Sequence, residues 1–445
     1  MVQAIIRDKS RIGTILFSIL LAAPLAASAQ EEQIPLTDPV PTVGQTANEA
    51  LFREGMEALE EQRLKSAIRA FSTILDDEPE LHRAKLELAL AYYRSMRYEE
   101  AERLASQVLD DPATPPEVRV TILAFLAQVR RDAEQYGEKH NFTPFIAAGI
   151  MHDTNVNVGP TVAGVRVGDT TLTLAPESLS QSDNAYIGNA GFDHLYQSGK
   201  RVELGEQSAA LLWQSGASVY WRRYHEQNDY DMMVASINTG PAILMLRKWR
   251  ASLQLRSDYL TLAGHALSWI NSVEPAVTWQ FNNGELSLEG NYSYRSYHRN
   301  EDEGREGDYG YVGLTLSRYL DNRRFSLTAG ARAVGFNADD NQFAYTGGQI
   351  NAGISGIPWP NGTAYARGRY SDFYYQGDTP VFNKERRDQE YLATLGLTHT
   401  FRNDDDLLKN WVVNAFWERT FNDSNISGLY TYTRYQTMLM LSRSF

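Results

Sequence analysis

The chain contains no cysteine in its 445 residues. That excludes disulfides, thiol catalysis, thiolate metal sites and a lipid anchor carried on an N-terminal cysteine. It also lacks a basic surplus. The formal charge is −13, and the basic N-terminal leader accounts for part of what positive charge there is, so nucleic acid is excluded as the expected partner. Beyond the N-terminus there is no run near the ~20 apolar residues of a membrane-spanning helix, and mean hydropathy is −0.41. This leaves open a membrane protein that crosses by strands, since such a strand needs only ~9–11 residues with apolar side chains at alternate positions. Catalytic signatures are missing too: no nucleophile motif, phosphate loop or metal-ligand spacing, and eight scattered histidines. The reading is a non-enzyme without cofactor or metal. The acidic run Glu301-Asp302-Glu303 with Asp308 reads as a solvated loop tip rather than a calcium site.

What is present divides the chain into four parts. Arg7, Lys9 and Arg11 precede an apolar stretch over 12–23 and the Ala27-Ser28-Ala29 cleavage pattern, so residues 1–29 are expected to be a cleaved export signal. Residues 30–46, with Pro35, Pro39 and Pro41, read as a flexible linker. Residues 47–137 show helical periodicity and a 34-residue repeat: Gly55, Ala67, Phe71 and Pro79 recur as Ala89, Ala101, Ala105 and, one position early, Pro112. This is the tetratricopeptide (TPR) pattern, in which small residues let paired helices approach closely. Two units are expected near 47–80 and 81–114, covered by a third helical segment opened by Pro115-Pro116. In that register Arg83, Leu86, Leu90, Tyr93 and Arg94 occupy the concave side, where they either anchor a bound segment or pack the repeats together.

From 143 to 445 the period changes to two. Leu286, Leu288, Gly290, Tyr292 and Tyr294 alternate with Ser287, Glu289, Asn291, Ser293 and Arg295. Fourteen such segments are expected, the first over 144–152. Tight turns at Asn282-Asn283-Gly284, Asp321-Asn322, Pro360-Asn361-Gly362 and Asn403-Asp404-Asp405 alternate with longer connections such as 298–308 and 376–386, as in a barrel with short periplasmic turns and longer outer loops. The fold class is therefore α + β in two domains: TPR-like helices followed by a 14-stranded antiparallel transmembrane β-barrel, closed because lipid offers no partner to an open edge. A charge on the lipid face costs ~2–4 kcal/mol at the bilayer midplane, so Arg256, Glu289, Arg295, Arg332 and Glu418 are expected to face the lumen. Leu439, Leu441 and Phe445 form an aromatic-ended C-terminal strand. The expected place is a Gram-negative outer membrane, in contact with its lipid, with the helices in the periplasm.

After the first strand comes His152-Asp153-Thr154-Asn155-Val156-Asn157 and then Pro160. On residues alone it is an Asx-rich turn leaving a strand. Together with the layout it resembles the surface lipoprotein assembly modulator (Slam) family, at Asp153, Asn155, Val156, Asn157 and Pro160. That resemblance implies delivery of surface lipoproteins or other exported proteins from periplasm to cell surface, helices recruiting the client or a chaperone, and cooperation with the barrel-assembly machinery. The chain departs from the family in having about two repeats. An exopolysaccharide exporter and a passive diffusion porin share parts of the architecture.

Overall fold

The computed structural model describes residues 43–136, 139–205, 207–245, 248–321, 323–402 and 408–445. Residues 1–42, which carry the expected signal and most of the expected linker, lie outside them, as does the turn at 403–405.

Five helices come first: α1 (Val43–Glu60), α2 (Leu64–Asp77), α3 (His82–Arg94), α4 (Tyr98–Asp110) and α5 (Pro116–Tyr136). The repeat residues are what packs them. Ala67, Phe71, Ala89, Ala101 and Ala105 are wholly buried. At Gly55 a Cβ would stand 2.7 Å from the Phe71 ring, so the glycine makes room for the aromatic side chain. Burying that side chain contributes ~1.5–3 kcal/mol. The repeat is visible in the backbone as well: Gln62 and Met96, one period apart, both take φ of +58° in the turn between paired helices. Helix α1 begins at Val43, inside the span expected to be linker.

The second domain is one closed antiparallel barrel. Its strands are β1 (His140–Asp153), β4 (Asp183–Leu204), β5 (Gln207–Tyr224), β6 (Met232–Met245), β7 (Trp249–Leu262), β8 (His265–Phe281), β9 (Gly284–Tyr297), β10 (Gly307–Leu320), β11 (Phe325–Ala338), β12 (Tyr345–Gly356), β13 (Gly362–Thr379), β14 (Lys384–Thr400), β15 (Val412–Ser424) and β16 (Tyr432–Ser444), with β16 pairing back onto β1. A small hairpin, β2 (Gly164–Val167) and β3 (Thr170–Thr173), lies outside the barrel sheet in the first connection, and a short helix α6 (Ser427–Tyr430) lies in the last. The barrel starts at His140, three residues before the expected boundary at 143.

The start of β1, the end of β16 and the tight turns share one end, the proximal end. Asn283, Asp321 and Asn361 take positive φ of 61°, 47° and 61° in those turns, which asparagine and aspartate tolerate. The distal connections are less uniformly long than expected. Strands β13 and β14 run to Thr379 and from Lys384, so the expected loop over 376–386 is mostly strand, with a register shift before Asp378. Strands β7 and β8 are joined through Ala263 and Gly264, both at positive φ.

Side chains alternate as the sequence pattern requires. Leu288, Val312, Leu314, Leu327, Ile350, Leu395 and Leu439 are exposed on the outer wall. They are bracketed by Trp279, Phe281, Phe325, Trp359 and Phe445 toward the proximal end and by Trp221, Trp269, Tyr294, Tyr391 and Tyr435 toward the distal end. The ten-residue step from Tyr435 to Phe445 spans roughly 25 Å of height at ~3.4 Å per residue and a tilt of ~40°. That is the height of the apolar band a bilayer requires, and two aromatic girdles mark its edges.

Candidate functional site

Three features of the inner wall carry the chemistry. The first is the lumen, a cavity of about 880 Å³. Arg256, Glu289, Arg295, Arg332 and Glu418 all line it. They are engaged with the wall: Arg256 Nε donates to Asp258 at 2.9 Å, Arg332 pairs with Glu289, Glu418 accepts from Thr394 Oγ1 at 2.9 Å, and the Arg295 guanidinium lies 4.1 Å from the centre of the Tyr309 ring. Asp258, Glu274, Arg367, Arg369 and Glu390 line the same cavity. The sequence reading missed them, although Asp258 has the strand parity of Arg256, which it named. Both signs are interspersed, so the lumen presents no track of a single charge.

The second feature is a lock built on the Asp153–Asn157 segment. Asp153 and Asn155 are wholly buried, and Asn157 nearly so. The Asp153 carboxylate receives Arg434 Nε at 3.0 Å, the Tyr224 hydroxyl at 3.0 Å, Gln436 Nε2 at 3.1 Å and the Asn155 backbone N–H at 3.0 Å. Asn155 Nδ2 donates to the carbonyl of Gly159 at 2.8 Å and to that of Thr433 at 3.3 Å. Asn157 Nδ2 donates to the Leu179 carbonyl at 2.6 Å, while its Oδ1 accepts the Gln181 N–H at 3.0 Å. The Pro160 carbonyl accepts the Ser180 N–H at 3.1 Å. A Cβ at Gly159 would lie 2.4 Å from the Ser178 carbonyl oxygen, so only glycine fits there. Each side chain thus does the work of a missing backbone partner, and the start and end of the first connection are sewn together and to β16. Val156 packs on the inward residues Ala147, Met151, Ala185, Ile187 and Met440, so the segment folds against the distal inner wall. Beyond it, hairpin β2–β3 packs against α6, tying the first connection to the last. The Asx turn read from the residues is real, but Arg434 and Tyr224, which complete it, are remote in sequence.

The third feature is the junction of the two domains. Strand β4 runs past the start of β1 and forms, with β5, an overhang on the proximal rim. There the polar-inside rule breaks. Ala210, Leu212 and Ala242 share the inward face with Gln214 and Asn238, yet they are apolar and buried. Met96, Tyr98, Ala101 and Val129 of the helical domain pack on them. Arg201, on the same face, donates to the carbonyl oxygens of Ser95 and Met96 at the end of α3, the latter at 2.8 Å. A guanidinium on the last carbonyls of a helix satisfies groups that have no intrahelical partner.

The concave-side candidates resolve mostly as packing. Tyr93 donates to Asp132 Oδ2 at 2.6 Å, Arg94 donates to the Leu59 carbonyl at 2.9 Å, and Leu86 and Leu90 lie half-buried against the helical core. Arg83 is exposed, its guanidinium 4.6 Å over the Phe52 ring. Leu439 and Leu441 belong to the outward face of β16, and the Phe445 N–H donates to the Pro144 carbonyl at 2.9 Å. The acids of the 298–308 connection diverge: Asp302 faces Arg305 at 3.1 Å, while Asp308 accepts the Tyr292 hydroxyl at 2.7 Å. In the helical domain Glu80, His82 and Asp111 bring ligand atoms within 4.8 Å of one another, though Glu80 already pairs with Lys85 at 3.0 Å and His82 with Asp111 at 2.9 Å.

Against this geometry, the tetratricopeptide repeat family model matches residues 58–128. No curated protein matches the chain. Among solved structures the barrel is similar to the outer membrane channel DcaP of Acinetobacter baumannii, with 10% identity, a TM-score of 0.37 and coverage of 69% of this chain and 97% of that one. It is similar to a loop-deletion form of OmpT of Vibrio cholerae, with 7% identity, a TM-score of 0.39 and coverage of 69% and 100%. It is also similar to OprD of Pseudomonas aeruginosa, with 9% identity, a TM-score of 0.34 and coverage of 69% and 95%. With scores this low, nothing about the activity of this chain rests on them. The chain is a tetratricopeptide domain joined to a closed 14-stranded barrel.

Proposed function

We propose that this protein is an outer-membrane transport protein that delivers lipid-anchored or other exported proteins from the periplasm to the cell surface. The helical domain, on the periplasmic side, recruits the client. The observation that carries this reading is the junction: a protein-binding type of domain is seated on inward residues Ala210, Leu212 and Ala242 at the barrel mouth. A recruiting module in that position hands its cargo directly to the barrel. A diffusion pore has no need of helices across its entrance, and an exopolysaccharide exporter would be expected to carry a longer repeat array. The resemblance of the Asp153–Pro160 segment to the Slam family supports the same reading and narrows the cargo to surface lipoproteins.

The test compares surface-exposed lipoproteins, by external protease digestion, in strains with and without the gene. A lipoprotein that is made in both strains but becomes protease-resistant in the deletion is the expected result. Undiminished display of every surface lipoprotein in the deletion strain overturns the proposal. Planar-bilayer recordings address the porin reading: large, steady conductance from the purified full-length protein would favour passive diffusion.

A further inference from the structure

Among the described residues the outer wall of the barrel is mostly apolar, and one departure from that pattern is a hydrogen-bonded group of polar side chains on neighbouring strands. On β5 to β8, mid-strand, Ser215, Thr239, Ser257 and Asn271 point outward among exposed apolar neighbours Ile237, Leu255 and Val273. They form two hydrogen-bonded groups. Trp213 Nε1 donates to Thr239 Oγ1 at 2.8 Å, and Ser215 lies 2.9 Å from the same hydroxyl. Ser257 and Asn271 are 2.7 Å apart, and Trp269 Nε1 donates to Ser257 at 2.5 Å. Polar groups facing hydrocarbon are costly and, where they occur, mark function.

Two further observations fall on the same strands. Shallow apolar hollows of about 450 and 480 Å³ flank the stripe on its outer side, sharing Ile237 and Ser257 as lining. In addition, two ladders are interrupted just proximal to it. Pairing of β6 with β7 skips Gly240 and Pro241, and pairing of β8 with β9 skips Glu274 and Pro275. A proline offers no N–H to a ladder. The Gln254 side chain donates to the Gly240 carbonyl there at 3.4 Å. The β7–β8 hairpin is thus flanked on both sides by missing rungs, beside the stripe.

We propose that this stripe is a path along which the acyl anchor of a lipidated client crosses the membrane on the outside of the barrel. The inference rests on the delivery function proposed above. The chemistry fits a lipid anchor better than a phospholipid headgroup. The stripe carries only neutral donors and acceptors, suited to ester and amide carbonyls, and no cation for a phosphate. The hollows beside it receive hydrocarbon chains. Its position fits too, because β5 and β6 are the strands on whose inner proximal face the helical domain is seated, so a client recruited there arrives beside the stripe.

The test uses full-length protein in vesicles of phosphatidylethanolamine and phosphatidylglycerol, with a fluorescent diacylglyceryl-cysteine peptide as probe and a membrane-impermeant quencher as the leaflet reporter. Wild-type protein accelerates transfer of the probe between leaflets, and the double variant Thr239→Leu, Asn271→Leu slows it about tenfold, as expected for loss of two hydrogen-bonding groups. Heat-modifiable gel mobility shows that the variant barrel is folded. Ser287→Ala, an inward change on β9, serves as the control and leaves the rate unchanged. Equal transfer by wild type and folded double variant overturns the inference. So does finding wild-type protein as a cross-linkable dimer that the double variant abolishes, since the stripe is then a self-association face. In cells the two proposals separate: if gene deletion hides a lipoprotein while the double variant displays it normally, the delivery function stands and the outer path falls.

Discussion

Two patches on the inner wall are apolar where the alternation calls for polar residues, and they sit at opposite ends. The proximal patch, Ala210, Leu212 and Ala242, is covered by the helical domain. The distal patch, Ala147, Met151, Ala185, Ile187 and Met440, is covered by Val156 of the first connection. The covers are fastened differently. The distal one is held by Asp153 and Arg434, whose side chains are 0% and 6% exposed, with Asn155 and Asn157 replacing backbone partners on either side. The proximal one is held by small apolar side chains and by one guanidinium on two carbonyls. A buried ion pair is expensive to break by halves, whereas a modest apolar contact with a charge-assisted clamp opens reversibly. The distal cover is therefore expected to resist opening more than the proximal one.

The largest effect is expected from Arg434→Ala. It strands the Asp153 carboxylate in a dry site and costs ~3–5 kcal/mol. Urea unfolding of the refolded barrel should show the loss, and Arg434→Lys should recover only part of it, because the bidentate fork is not reproduced. A variant that unfolds at the wild-type midpoint would make the distal cover no more resistant to opening than the proximal one. Next comes Leu212→Asp. A carboxylate placed against Met96 and Val129 is taken out of water, so the helical domain should undock at a cost of ~2–4 kcal/mol of docking energy, while the barrel, whose ladder does not depend on this side chain, stays folded. Faster hydrogen exchange in α3 to α5 with unchanged exchange in β9 to β15 is the expected pattern.

Most of this architecture was legible in the sequence because its causes are periodic. A two-residue period placed Arg256, Glu289, Arg295, Arg332 and Glu418 on one wall, and a 34-residue period placed Ala67, Phe71, Ala89 and Ala105 in one core. What could not be read was set by closure. Arg434 meets Asp153 only because β16 pairs with β1, and no local pattern announces a partner 281 residues away. The two readings left open for Tyr93 and Arg94, anchor or packing, could not be separated for a related reason: their partners, Asp132 and the Leu59 carbonyl, lie on other helices. The outward polar residues of β5 to β8 were visible as breaks in alternation, but without the barrel nothing distinguished them from register slips.

Arg201→Ala sharpens the comparison at smaller scale. It removes two charge-assisted hydrogen bonds to the end of α3 and should weaken docking by ~1.5–3 kcal/mol without exposing a new charge. Faster hydrogen exchange in α3 and α4, with exchange in the barrel strands unchanged, is the expected readout. The smallest effect concerns pH. Glu100 lies beside Arg97 and within the field of Arg201. Burial pushes its carboxyl up, but the hydrogen bond and charge of Arg97 outweigh that and hold it below the usual carboxylate range. A group depressed in the folded state contributes stability above its unfolded value and loses it as pH falls through the folded one. The Arg97 contribution lies within the helical domain and survives undocking, so only the field of Arg201 couples this carboxyl to docking, and docking should loosen slightly as the medium is acidified below about pH 4. Glu100→Gln should remove that dependence while leaving docking at neutral pH slightly weaker than wild type, and the readout is the pH profile of exchange in α4. A profile unchanged by the substitution would place the acid sensitivity elsewhere and leave the clamp to Arg201 alone.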